Sequence, residues 1–249
     1  MEISFIIQAR MGSSRLPNKV LLPFYDGKCI LDLLVEKLNR IPDIQLIIAT
    51  SNHPANNVIE EYCKKRHINC FRGSENDVLQ RFIDASEAYG AEKIIRVCSD
   101  NPFLELNSIQ RLADKAANSS ADYISFKVNG NPSIKTHFGF WTEYVTLDTL
   151  KRIKSITTES LYHEHVTNFI YTHPELFSIE WIDGPECLRD RANIRLTCDT
   201  IDDFKNSQEI YRDLCKGNPY PTIVQIVNYL DEHNGYLTKM IEQINFNSK

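Results

Sequence analysis

No stretch of this 249-residue chain is apolar for long enough to cross a bilayer, which takes about 20 residues. Its start runs directly into strand-like sequence, without the basic stretch and cleavage site of a secretory leader. A cytoplasmic protein with no membrane partner is therefore expected. Positive charge is not in excess either: 28 Lys and Arg stand against 33 Asp and Glu, a net charge of -5. The whole molecule thus has no attraction for nucleic acid, and any anion site must be local. The seven cysteines are scattered and odd in number, and none forms a C-x-x-C pair. That argues against zinc, redox and disulfide frameworks and for small buried side chains in a reducing compartment. Glycine is scarce at nine residues. Neither the G-x-x-x-x-G-K-[ST] phosphate loop nor the G-x-G-x-x-G dinucleotide turn occurs.

What is present is ordinary globular composition, 42% hydrophobic and 24% charged, at a length that suits one large domain. Short β-branched runs at 3–9, 45–50, 68–71 and 94–98 read as buried strands. Segments of helical period separate them: 31–40, the Val58–Ile59–Tyr62–Cys63 set, a stretch from Val78 to Tyr89 behind a Ser74-x-x-Asp77 capping signal, and 107–118 with Asn107 as N-cap. Such alternation predicts an α/β fold of Rossmann-like kind, a mixed and mainly parallel sheet flanked by helices. After residue 120 the rhythm changes. A strand at 122–128, an extended stretch at 134–145, helices at 147–154 and 159–172, and strands at 178–182 and 193–198 are expected, then two or three helices up to about 246. The simplest organisation is one domain, 1–249, with an excursion at about 125–175.

The most informative residues follow the first strand, in IIQARMGSSRLPNKVLL at 6–22. Ligands bind at the carboxyl ends of strands in open α/β sheets. No acidic side chain lies between Ile3 and Tyr25, whereas Arg10, Arg15 and Lys19 do, and Gly12, Ser13 and Ser14 allow close backbone approach and offer amide and hydroxyl donors. Arg grips phosphate bidentately and Lys acts as a point charge. Spacing alone establishes an anion-binding loop. Two carboxylates, Asp100 and Asp199, each close a predicted strand. They would emerge beside that loop if both strands lie in one sheet, although aspartate after a strand also serves as a turn or helix cap.

This loop resembles the signature of the cytidylyltransferase superfamily, above all its spore-coat polysaccharide type, related to CMP-KDO and acylneuraminate cytidylyltransferases. Ala49-Thr50-Ser51, FRGSENDVLQRF at 71–82, RVCSDNP at 96–102, YHEHVTNFI at 162–170 and RLTCDTIDDF at 195–204 match in order, so the likeness spans roughly 3–204. The resemblance implies the nucleotide-diphospho-sugar transferase type of fold and a homodimer built partly through the excursion. It also implies transfer of CMP from CTP to a sugar acceptor, with Mg²⁺ held by Asp100 and Asp199. Nucleotide contacts are implied for Ala9, Arg10, Gly12, Ser13, Arg15, Lys19, Thr50, Asp77 and Arg81. Of these, Arg10, Arg15 and Lys19 act in catalysis with Asp100. Asp77 and Arg81, four apart on a helix, equally suit a surface ion pair.

The match departs in places. Asn18 stands where relatives carry Gly, Asn56 and Asn57 where an acid is usual, and Cys98-Ser99 and Asn101 flank the metal aspartate. In HFGFWTEYV at 137–145, Gly139 and Glu143 keep the pattern of the family's substrate strand, while Phe140 and Trp141 replace Leu and Asp. Trp141 suits either a sugar face or a core position. His163 and His165, two apart in an expected helix, make a poor metal pair, but one of them could touch the acceptor. Two rival readings are a nucleotide-sugar-dependent glycosyltransferase, which the missing D-x-D motif disfavours, and a non-catalytic nucleotide-binding subunit.

Overall fold

In the computed structural model of the chain, which describes residues 3–246, the first strand shows why its sequence is nearly all apolar. Along β1 (Ile3–Gln8), Phe5 and Ile7 enter the core on one face of the sheet and Ile6 the core on the other. A strand covered on both faces reads as a continuous hydrophobic run. The chain continues through a small hairpin, β2 (Pro23–Tyr25) and β3 (Lys28–Cys29), then α1 (Ile30–Leu38), β4 (Gln45–Ser51), α2 (Asn57–Arg66), β5 (Asn69–Gly73), α3 (Val78–Tyr89), β6 (Lys93–Cys98), α4 (Leu106–Asn118) and β7 (Tyr123–Val128). It goes on with β8 (Asn131–Pro132), β9 (Glu143–Thr146), α5 (Leu147–Ile156), α6 (Ser160–Glu164), α7 (Asn168–Thr172), β10 (Ile179–Asp183), α8 (Ile201–Leu214), α9 (Ile223–Glu232) and α10 (Asn234–Phe246).

The main sheet runs β10-β7-β9-β6-β1-β4-β5, with β8 paired to β7. β1 is parallel to both β4 and β6, β4 to β5 and β7 to β10, while β9 is antiparallel to β6 and β7. From β1 the chain first winds outward through β4 and β5, then returns to place β6 on the other side of β1. Strand order reverses between β1 and β6, and the loops leaving their carboxyl ends must part there to form a crevice. Those two loops carry Arg10–Lys19 and Asp100.

Local signals explain several differences from the sequence expectations. Asp77, not Ser74, caps α3, accepting from the Gln80 amide at 2.8 Å, and Ser74 Oγ accepts from Asp77 N at 3.0 Å. The cap of α4 is Glu105 instead of Asn107, with the Ser108 amide on its carboxylate at 2.6 Å. The stretch expected to be extended from 134 opens with a 3₁₀ turn at Ser133–Lys135, and Gly139 at φ +70° interrupts it, so only Glu143–Thr146 joins the sheet. The helix expected over 159–172 breaks into α6 and α7 because the chain turns at 165–167, where Asn168 N donates to His165 O at 2.6 Å and Val166 and Thr167 are buried. The strand expected at 193–198 forms no ladder. It is an extended segment held by single bonds from Leu196 N to His137 O at 2.8 Å and Cys198 N to Asp100 O at 2.9 Å. Three helices, α8 to α10, complete the described chain.

Candidate active site

A cleft of about 780 Å³ opens at the crevice between the β1 and β6 loops. Arg10, Ser13, Arg15 and Lys19 line it from one side, Asp100 and Asp199 from the floor, and Gly139, Trp141, Glu143 and His165 from the far wall. The β1 loop bends back on itself: Ser13 N and Asn18 N both donate to Met11 O at 3.0 Å. Asn18 adopts φ +63°, the left-handed conformation that Asn tolerates in place of Gly. Met11 N donates to Oδ1 of the buried Asn56 at 2.8 Å, and Asn56 Nδ2 donates to Ser51 Oγ at 2.6 Å, so the side chain that replaces an acid ties the loop to the end of β4.

Lys19 lies between the two aspartates. Its Nζ is 3.3 Å from Asp100 Oδ2, 3.8 Å from Asp199 Oδ1, and donates to Cys198 O at 2.9 Å. Burial alone would lower its pKa, but the two carboxylates outweigh that and hold it above the ordinary lysine value. Arg15 Nη2 reaches Asp199 Oδ1 at 3.2 Å, and Arg10 stands 3.7 Å from Glu164 and 4.0 Å from Glu75. The cations that could take phosphate and the carboxylates that could take a metal thus neutralise one another. Asp199 presents Oδ1 to Arg15 and Lys19, while its Oδ2 accepts from Thr197 Oγ1 at 3.1 Å and Arg195 Nη2 at 3.2 Å.

The other nominated nucleotide contacts lie outside the lining of this cleft. Ala9 is buried where β1 ends, its amide on Ala49 O at 3.3 Å, and Gly12 sits beside Glu75. Thr50 is fully buried and its hydroxyl has no hydrogen-bond partner. Asp77 and Arg81 do not pair with each other. Asp77 binds Lys154 Nζ and His163 Nδ1, the latter at 3.0 Å, which keeps its carboxyl below the ordinary range despite its burial. Arg81 donates to Ser74 O at 2.6 Å while its Nε and Nη2 remain unpartnered. Burial, and next the neighbouring Arg10 cation, lower Arg81 to about 10.

The far wall holds residues with prior engagements. Trp141 stacks on Phe126 at 5.2 Å and donates Nε1–H to Ser108 Oγ at 3.1 Å, a core tryptophan with one edge on the cleft. Both oxygens of the buried Glu143 are occupied: Arg96 at 2.8 Å and Thr167 at 3.0 Å on Oε2, the Tyr123 hydroxyl on Oε1. Three donors thus hold this carboxylate within the wall. Gly139 is required by its backbone, since an added Cβ would come within 3.2 Å of the Leu196 carbonyl carbon. His165, at the end of α6, lines the cleft and is exposed, whereas His163 turns away toward Asp77.

A cytidylyltransferase family model matches residues 4–235. The chain belongs to that family. An uncharacterized protein of Methanocaldococcus jannaschii is 38% identical over 234 residues, covering 94% of this chain and 92% of the relative. The spore coat polysaccharide biosynthesis protein SpsF of Bacillus subtilis is 35% identical over 217 residues, covering 85% and 87%. The solved structure of a cytidylyltransferase from Leptospira borgpetersenii superposes with a TM-score of 0.81 at 25% identity, covering 95% of this chain and 97% of that one.

Within this cytidylyltransferase the sequence reading missed two buried arginines. Arg195 grips Asp203 with Nε at 2.7 Å and Nη2 at 2.8 Å, and its Nη1 donates to His137 Nδ1 at 2.6 Å. Asp203, in the first turn of α8, is thus half of a buried pair that aims Asp199. Arg96, in β6, anchors Glu143. The signal for Arg195 was its offset, four before Asp199 and eight before Asp203, but the change from irregular chain at 193–199 to helix at Ile201 hides that all three meet.

Proposed function

We propose that this chain is a magnesium-dependent enzyme that joins CMP, taken from CTP, to a sugar or sugar phosphate and releases pyrophosphate. The observation that carries the reading is the Lys19 ammonium set between Asp100 and Asp199 at the mouth of the β1 loop. Among the described residues no three His, Cys, Asp or Glu side chains gather into a metal cage. Two carboxylates from separate loops form a hard-oxygen donor set that leaves most of an octahedron to phosphate oxygens and water, which suits Mg²⁺. Bound by Asp100 and Asp199, that ion would neutralise charge on the α-phosphate and the departing pyrophosphate.

The chain's own residues account for binding and orientation. Arg10, Arg15 and Lys19 exchange their carboxylate partners for phosphate oxygens, and Ser13 and Ser14 add polar donors along the same wall. The acceptor oxygen bonds to the α-phosphorus as the bond to the bridging oxygen of the leaving pyrophosphate breaks. Preorganised charge and alignment supply most of the acceleration. The acceptor occupies the space between the β1 loop and the wall bearing His165 and Gly139. Assembly as a homodimer partly through the excursion at about 125–175 belongs to the same reading and is checked by solution mass.

Pyrophosphate release tests it. Each of CTP, UTP, ATP and GTP is offered with a panel of nonulosonic acids, KDO-like sugars and sugar phosphates, with and without Mg²⁺. Metal-dependent release from CTP with an acceptor is expected. No release from any nucleoside triphosphate, together with UDP release from a UDP-sugar, would overturn the reading in favour of a glycosyltransferase.

A further inference from the structure

Lys37, near the end of α1, is a lysine in an unusual place. It is only 3% exposed, and no acidic side chain among the described residues forms an ion pair with it. Instead its Nζ donates to two backbone carbonyls, Pro102 O at 3.3 Å and Leu104 O at 2.5 Å. Burying an ammonium without a counter-ion is costly. Burial lowers this one to about 8, against the weaker opposing pull of Cys215 and Glu105.

The carbonyls it holds belong to the segment between Asp100 and α4. Asn101, Phe103, Leu104 and Glu105 of this segment are buried, yet it has neither helix nor strand to satisfy its backbone. Buried carbonyls need donors. Cys198 N donates to Asp100 O at 2.9 Å from one side, and Glu105 N donates to Phe140 O at 2.9 Å on another. Lys37 supplies the tie from α1, and its long chain delivers several donors to two carbonyls that no neighbouring strand can reach.

We propose that Lys37 is a positioning residue for Asp100: by fastening the 102–104 backbone it sets where the Asp100 carboxylate stands relative to Asp199, and hence how well the two share a divalent cation. This rests on the metal role proposed for those aspartates. The metal probe is Mn²⁺, titrated in the presence of CTP and followed by electron paramagnetic resonance on wild type, Lys37→Met and Lys37→Gln. Partners that orient metal ligands are typically worth about tenfold or more in affinity.

Lys37→Met is expected to weaken Mn²⁺ by about tenfold while changing metal-free CTP binding, measured by calorimetry, by less than about twofold. Lys37→Gln, which keeps two N–H donors, recovers part of the loss. A folded Lys37→Met with unchanged Mn²⁺ affinity overturns the proposal, and so does an equal loss of Mn²⁺ and metal-free CTP binding, which marks general loosening. If Lys37→Met does not fold, Lys37→Gln decides: weaker Mn²⁺ with intact CTP binding supports the proposal, and unchanged Mn²⁺ refutes it. A wild type that takes up no Mn²⁺ overturns the proposed function itself, and this proposal with it.

Discussion

Arg15 and Asp199 meet across the cleft, Nη2 to Oδ1, at 3.2 Å. A candidate phosphate-binding cation is thus paired with a candidate metal-binding carboxylate, as Lys19 is with Asp100. Such cross-pairing keeps this cluster of four charges stable when nothing is bound, because each has an opposite neighbour. It also favours joint entry of a triphosphate and a divalent cation, because either alone strips one set of charges of its partners.

Asp100→Asn tests that balance directly. Asp100 is partly exposed and its ion pair to Lys19 is replaceable by Asp199, so the fold should hold with little change in melting temperature. Pyrophosphate release should fall by roughly 10³, the scale on which a charge aimed at the reacting phosphate counts. Turnover near the wild-type rate would remove Asp100 from the metal site.

Arg195→Met strikes a different layer. Arg195 and Asp203 are both buried, and the pair is bidentate. Removing the cation leaves the Asp203 carboxylate uncompensated and frees Asp199, and breaking buried pairs in this way costs about 3–5 kcal/mol. Urea unfolding should show that loss. A change under about 1 kcal/mol would mean that the pair contributes little beyond what a well-packed apolar side chain supplies.

How much of this was legible beforehand follows from the range of each interaction. The main strands and helices of the first half announced themselves because both faces of the sheet are covered and α1, α3 and α4 carry local caps. The β1 loop was legible because its chemistry lies in consecutive residues. The segment at 193–199 was not: its β-branched and apolar residues fit a strand, but its partners, His137 O and Asp100 O, are single carbonyls on distant loops. Sequence left Trp141 open between a sugar face and the core, and gave Glu143 only its likeness to a substrate strand, because it reports residue type and not prior engagement. Phe126 and Arg96, which occupy them, lie 15 and 47 residues away. Lys37 was invisible for the same reason, a lysine in a helix being ordinarily solvent-exposed.

Gly139→Ala should damage the site from behind. The residue holds φ +70°, and a Cβ there would come 3.2 Å from the Leu196 carbonyl carbon and 3.3 Å from its oxygen. The left-handed conformation costs a non-glycine residue about 1–2 kcal/mol, and displacing packed backbone adds about 1–3 kcal/mol. Because Leu196 leads to Asp199, the variant should lose Mn²⁺ affinity as well as stability. A variant that melts lower but binds the ion normally would show that the 193–199 segment is not what sets the carboxylate's position.

The buried state of Lys37 gives a pH dependence of definite sign. Its pKa falls from an ordinary 10.5 to about 8 in the fold. Between those values the folded chain has released a proton that the unfolded chain keeps, so the unfolded state binds more protons and stability rises with pH. Below pH 8 the fold carries the full cost of the buried charge, and above 10.5 it carries none of it. Lys37→Met has no group to titrate there, and every other titration is common to both proteins. The stability of wild type relative to Lys37→Met, from urea unfolding, should therefore rise by about 3 kcal/mol across that window. A difference that stays flat within about 0.5 kcal/mol, near the uncertainty of the extrapolation, would show that Lys37 keeps its ordinary titration.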